Sequence, residues 1–231
     1  PLGEVEEEPV NGADTDVVII GAGPAGLSAA LNLARARRRV MLIDSNRPRN
    51  SATLFSHGYL TRDGITPHEL RRLGKKELTA YSAVEHHLVH VERVSRVDGG
   101  FEIEASRVNA SPDRTVTAPV VLIATGLRET LPALPSIRSY YGIGLFSCIE
   151  CDGYERSDKA LALIGETSDL ASRALLIAQW SDDLTVFTNG LAPIGEAQET
   201  LLAERGVRVE RRPVADVVGE GNSVTAVLLT D

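Results

Sequence analysis

Cysteine is almost absent from this 231-residue chain: there are two, Cys148 and Cys151, both in the stretch LFSCIECDGYE. Two cysteines cannot staple a small secreted domain. Long apolar runs are absent as well, none reaching the roughly 18 residues that cross a membrane, and there is no signal-peptide pattern. An excess of basic charge is also missing. With 24 Lys and Arg against 32 Asp and Glu the net charge is -8 and the pI is near 5.2, which argues against a nucleic-acid partner or an anionic membrane surface. The only dense basic run, ARARRR at residues 34–39, ends an apolar helical pattern and complements the helix dipole. The sole methionine is Met41 and the first residue is Pro1, so we expect the native translation start to lie elsewhere. We expect a cytoplasmic protein whose residues 1–14 form a flexible acidic tail.

In a reducing compartment a structural disulfide is disfavoured, so the C-x-x-C spacing points to redox chemistry or a metal. A structural zinc needs four ligands, and His57, His68, His86, His87 and His90 supply no matching second half-site. Two buried thiols are the plain alternative.

What the chain does contain is a complete βαβ unit. In DTDVVIIGAGPAGLSAALNLARARRRVMLIDSN a β-branched run enters a glycine-rich turn, a helical apolar repeat follows, and a second apolar run ends in Asp44. Gly21, Gly23 and Gly26 stand in GxGxxG spacing, with Asp44 eighteen residues beyond the last. Gly21 suits a tight turn, Gly23 a pyrophosphate approaching the helix N-terminus, Gly26 close helix–strand packing, and Asp44 a ribose hydroxyl. Downstream we expect a helix from Pro67, a hairpin turning at Asp98, Gly99 and Gly100, a buried strand over residues 120–124, and a linker at LPALPSI. A second α/β series then runs from ALALIG to VTAVLLTD. The fold class is α/β, with two Rossmann-like (three-layer ββα) dinucleotide-binding domains in series, over residues 15–128 and 129–231.

GAGPAG, Asp44, the ATG at residues 124–126, the C-x-x-C-D box and the second βαβ together resemble the low-molecular-weight thioredoxin reductases. RPRN, SHGYLTRDG and QWSDD are more similar to the branch holding the gliotoxin-type dithiol oxidases. The resemblance implies FAD in the first domain, an NAD(P)-type second domain carrying the cysteines, and a homodimer. It implies that Gly21, Gly23, Pro24 and Ala25 face the FAD pyrophosphate and Asp44 the adenosine ribose. Arg49, Asn50 and His57 then lie along the flavin side, with Thr125 and Gly126 near the adenine half. Cys151 becomes the flavin-facing sulfur, Cys148 the interchange thiol, and Asp152 the acid and base, a task that needs a carboxyl pKa raised by burial. A capping or turn role before Gly153 is the plainer reading of Asp152. A thiolate at a helix start is stabilised by the positive helix end.

The second glycine loop departs from the family. GETSDLA puts Thr167 where a second glycine belongs and brings Glu166 and Asp169 to a helix N-terminus that a phosphate would occupy. VFTNG lacks the arginine pair that meets a 2'-phosphate. Both departures count against NADP(H). The expected function is thus an FAD-dependent thiol/disulfide oxidoreductase acting on a thioredoxin-like protein or a small disulfide or dithiol. Disulfide reduction ranks ahead because Asp152, not histidine, follows the box. Dithiol oxidation by oxygen, a ferredoxin-type donor, and a non-catalytic nucleotide-binding or redox-sensing role are the alternatives. The family's final return to the FAD domain is expected to be missing beyond Asp231.

Overall fold

A computed structural model of the chain describes residues 13–107 and 114–230. Most of the expected acidic tail lies outside these residues. Asp14, at its end, is held in place: its carboxylate accepts hydrogen bonds from the Thr117 backbone N–H at 2.7 Å and hydroxyl at 2.9 Å. The described chain divides into two units. One comprises the residues up to Ser51 with Thr66–Arg128; the other comprises Ala52–Ile65 with the residues from Glu129 onward.

The first unit contains β1 (Val17–Ile20), α1 (Pro24–Arg35), β2 (Val40–Ile43), α2 (Pro67–Leu78), β3 (Val84–His87), β4 (His90–Val97), β5 (Gly100–Ser106), β6 (Arg114–Ala118) and β7 (Val120–Ile123). A parallel sheet runs β3-β2-β1-β7, and a separate antiparallel sheet runs β4-β5-β6. The period-two geometry of strands explains the layering. Val17, Ile19, Val40 and Leu42 point to one face and pack with Leu27 and Ala30 of α1 and Leu78 of α2. Their neighbours Val18, Met41 and Ile43 point to the other face and meet Ile103, Val116 and Ala118 of the antiparallel sheet. Both faces of the central strands are therefore covered, which is why these strands read as unbroken apolar runs. Shifting either strand by one residue would exchange its two faces.

The expected helix from Pro67 is present, with Thr66 at its cap accepting from the Glu69 backbone N–H at 3.2 Å. The hairpin at residues 98–100 is also present. The strand expected to be buried at 120–124 differs: Val120 is 51% and Ile123 73% exposed. It is the outer strand of its sheet, so only Val121 and Leu122 reach the two covering layers.

The second unit repeats the arrangement. After the short helices α3 (Ile137–Tyr140) and α4 (Ile149–Asp152) come β8 (Leu161–Ile164), α5 (Leu170–Ile177), β9 (Leu184–Phe187), α6 (Glu196–Glu204), β10 (Arg208–Glu210), β11 (Val214–Glu220) and β12 (Ser223–Leu229). The parallel sheet runs β10-β9-β8, and β11 and β12 form an antiparallel hairpin. Leu184 and Val186 pack with α5 and α6, while Ile164 and Phe187 pack with Val214 and Val217 of the hairpin. Pro213, which has no N–H to donate, separates β10 from β11 in a stretch whose composition alone reads as one strand.

Candidate functional site

The first glycine loop joins β1 to α1. Gly21 has φ +107°, and a Cβ there would lie 2.3 Å from the Ala124 carbonyl oxygen. A Cβ on Gly26 would lie 1.9 Å from the Gly21 carbonyl oxygen. Both glycines are thus required by the fold itself. Gly23 is different: a Cβ there would meet nothing within 4 Å. It precedes α1 without any capping side chain, and no acidic residue lies in the helix's first turn. No side chain of the first turn competes for the free N–H groups of this three-turn helix, the arrangement that receives a phosphate. The exposed Pro24 and Ala25 begin that helix.

Asp44 follows β2 and is buried. One carboxylate oxygen accepts from the Ala22 backbone N–H at 3.3 Å and the other from Arg71 Nη2 at 2.8 Å. Arg71, on α2, also donates to the Ala22 carbonyl at 3.3 Å and to Asn46 Oδ1 at 3.0 Å. The guanidinium thereby ties the glycine loop to the acid. No local spacing announces Arg71, because the contact spans 27 residues. Thr125 and Gly126 are exposed just beyond β7. Arg49 and Asn50 lie in the 3-10 turn Arg49–Ala52. These residues fit a dinucleotide: there is an open cradle at Gly23, an uncapped helix end, and a fixed acid at Asp44.

The second loop does not offer that cradle. Asp169 sits at the cap of α5 without capping it; its carboxylate accepts instead from Thr167 Oγ1 at 2.5 Å and from Arg173 Nε at 2.7 Å. Glu166 is held by Asn189, whose own side-chain oxygen accepts from the Val214 N–H at 2.7 Å. Two carboxylates are thus fixed beside the helix end where a pyrophosphate would bring further negative charge. The residues present do not fit NADP(H).

Cys148 and Cys151 are joined in a disulfide, with Cα atoms 5.4 Å apart. Cys148 precedes α4 and Cys151 lies within it. That helix is a single turn, so it contributes little dipole to either sulfur. The Cys148 sulfur is also 3.6 Å from Glu150 Oε2, and a carboxylate there opposes the expected thiolate stabilisation. Exposure favours Cys151, which is exposed while Cys148 is half-buried; the family pattern favours Cys148 as the interchange thiol. Asp152 ends the turn, half-buried. Burial, helped by the Glu155 carboxylate, pushes its pKa above the usual carboxylate range, while Arg156 and His57 pull it back. His57 comes from the segment Ala52–Ile65, and its Nδ1 lies 3.5 Å from both Asp63 and Glu155. The second unit therefore brings His57, Asp152 and the two cysteines into one neighbourhood. Sequence reasoning missed Glu155 and Arg156. Arg156 stands four residues after Asp152, a spacing that could have drawn attention to it. Among the described residues no cluster of three or more His, Cys, Asp or Glu is arranged to hold a metal, and no helix is long and apolar enough to cross a membrane.

The profile of the family described as "Pyridine nucleotide-disulphide oxidoreductase" matches residues 15–231. Among solved structures, a protein of Bacillus anthracis described as a thioredoxin reductase, TrxB, is 37% identical with a TM-score of 0.83, covering 93% of this chain and 70% of that one. HlmI has the same identity and TM-score, over 94% of this chain and 67% of its own. The thioredoxin reductase aclD of Aspergillus oryzae is 30% identical over 183 residues, 76% of this chain and 57% of that protein. The chain spans less than two thirds of the length of such curated relatives, between 44% and 65% for three of them.

Proposed function

The chain belongs to the pyridine nucleotide-disulphide oxidoreductase family, and from that premise we propose that it is a thioredoxin-reductase-like, FAD-dependent thiol/disulfide oxidoreductase. The observation that carries this reading is the Cys148–Cys151 disulfide directly followed by an acid whose pKa is raised by burial. A substrate thiolate attacks Cys148, forming a mixed disulfide and releasing Cys151 as a thiolate. Asp152 retains its proton to higher pH than a free carboxyl and delivers it to that thiolate. The second substrate thiol then displaces Cys148, and the substrate leaves as a disulfide. Read backwards, the same steps reduce a disulfide.

FAD, when bound, supplies the two-electron store for this exchange. Gly21, Gly23, Pro24 and Ala25 would hold its pyrophosphate and Asp44 its ribose, with Arg49, Asn50, His57, Thr125 and Gly126 as further contacts. We assign a thioredoxin-like protein or a small disulfide or dithiol as substrate, a homodimer as the working form, and the cytoplasm as its place.

The second loop favours one direction. With Glu166 and Asp169 fixed at the α5 terminus, electrons enter from a dithiol rather than from NADP(H), and oxygen or another acceptor removes them. Anaerobic titration of the FAD-loaded protein tests both readings. A dithiol should bleach the flavin absorbance, and neither NADPH nor NADH should. Bleaching by NADPH would restore the nicotinamide-dependent reductase, and a protein that cannot be reconstituted with FAD would end the enzyme reading.

A further inference from the structure

We propose that Arg156 is a positioning residue for the cysteine pair: it straps the chain before the C-x-x-C box to the turn after it, and holds a cation beside the acid that closes the box. The inference rests on the thiol/disulfide reading above.

Arg156 ends the 3-10 turn Tyr154–Arg156, which Gly153 separates from α4. Its side chain reaches back across the box. Nη2 donates to the Ile143 carbonyl at 2.9 Å, and the guanidinium carbon stands 4.8 Å from the centre of the Phe146 ring. Ile143 and Phe146 precede Cys148 by five and two residues, and Arg156 follows Asp152 by four. One side chain therefore closes a loop around both sulfurs and the acid. A cation–π contact and a charged donor to a carbonyl are each directional, so together they fix the guanidinium plane.

The arrangement carries a cost that packing alone does not explain. Arg156 Nε is the only buried side-chain nitrogen or oxygen among the described residues that has no hydrogen-bond partner, and leaving such a donor unmade is unfavourable. A lysine or an apolar residue would avoid the cost, but neither could both stack on Phe146 and reach Ile143. The charges facing Asp152 are Arg156 and Glu155 from its own segment and His57 from the segment Ala52–Ile65, the last shared with Asp63. Of these, Arg156 opposes the effect of burial most strongly. With its charge removed, the Asp152 carboxyl should keep its proton to still higher pH.

In the exchange the Cys148–Cys151 bond breaks, a Cys148–substrate bond forms, and the proton on Asp152 passes to the Cys151 sulfur. Burial raises the pH to which Asp152 holds that proton, and the Arg156 charge lowers it again. The test is the rate of reduction of the Cys148–Cys151 disulfide by dithiothreitol as a function of pH, in the full chain. R156Q, which removes the charge, should move the limb belonging to Asp152 upward by about one pH unit. R156K should return the limb toward its original position, because it restores the charge, while leaving the maximum rate lower. In a D152N background, R156Q should add no further shift. A profile for R156Q that superimposes on the parent's, or an equal shift in the D152N background, would overturn the proposal. If D152N itself leaves the parent profile unchanged, the acid–base reading of the box falls instead.

Discussion

The two glycine loops sit in equivalent places, each between a parallel strand and a helix in a ββα unit, yet their helix ends are treated in opposite ways. Before α1 the chain places a glycine with open space in front of it and keeps acids out of the first turn. Before α5 it places Asp169, secured by Thr167 and Arg173, and Glu166, secured by Asn189. The strand–helix frame tolerates either choice, because packing is settled on the faces of the strands and not at the loop. A shared fold thus leaves the ligand undecided, and four or five residues at the helix end decide it. The second unit compensates by carrying its chemistry elsewhere, in the cysteine turn.

That contrast can be broken in several ways. The largest expected effect belongs to the cysteines: Cys148→Ser should bring turnover to background while FAD binding stays intact, and if the Cys151→Ser protein alone loses mixed-disulfide formation with substrate, the two sulfur roles must be exchanged. Next comes the acid of the first loop. Asp44→Asn leaves the Arg71 guanidinium buried without its counter-charge, a change worth about 3–5 kcal/mol, measurable by denaturant unfolding. A smaller, purely local effect separates the glycines. Gly23→Val should weaken FAD binding by about 100-fold, or about 2.7 kcal/mol, with no fall in the apoprotein's Tm, whereas Gly26→Val should lower the Tm whether or not FAD is present.

The smallest effect concerns Asp152. Because burial raises its folded-state pKa, Asp152 holds its proton in the folded chain to higher pH than in the unfolded one, so its own contribution to stability falls as pH rises just above the ordinary carboxylate range. Asp152→Asn should remove that contribution, so the Tm of the parent minus that of the variant should fall as pH rises through this window, and a difference that rises instead would contradict the assignment.

Much of this was legible in residue order. The first βαβ unit announces itself because its apolar runs, glycines and acid are local and regularly spaced, and the cysteine box because two residues carry the whole signal. The two-layer coverage of β1 and β2 is equally readable once strand alternation is considered. What escaped is nonlocal: Arg71 reaches Asp44 from a helix 27 residues away, and Arg156 reaches Ile143 across a turn. The exposure of Val120 and Ile123 was hidden for a related reason, since composition does not reveal whether an apolar strand lies inside a sheet or at its margin.

Trp180 is the only tryptophan in the chain, and its indole fills the space in front of Gly153, so that a Cβ there would lie 3.0 Å from the ring. Gly153 directly follows Asp152. Every quantum of indole fluorescence thus originates one residue from the redox box, and opening or closing the cysteine pair should change its intensity. The chain carries its own optical gauge of its oxidation state, with no dye attached and no background from a second indole.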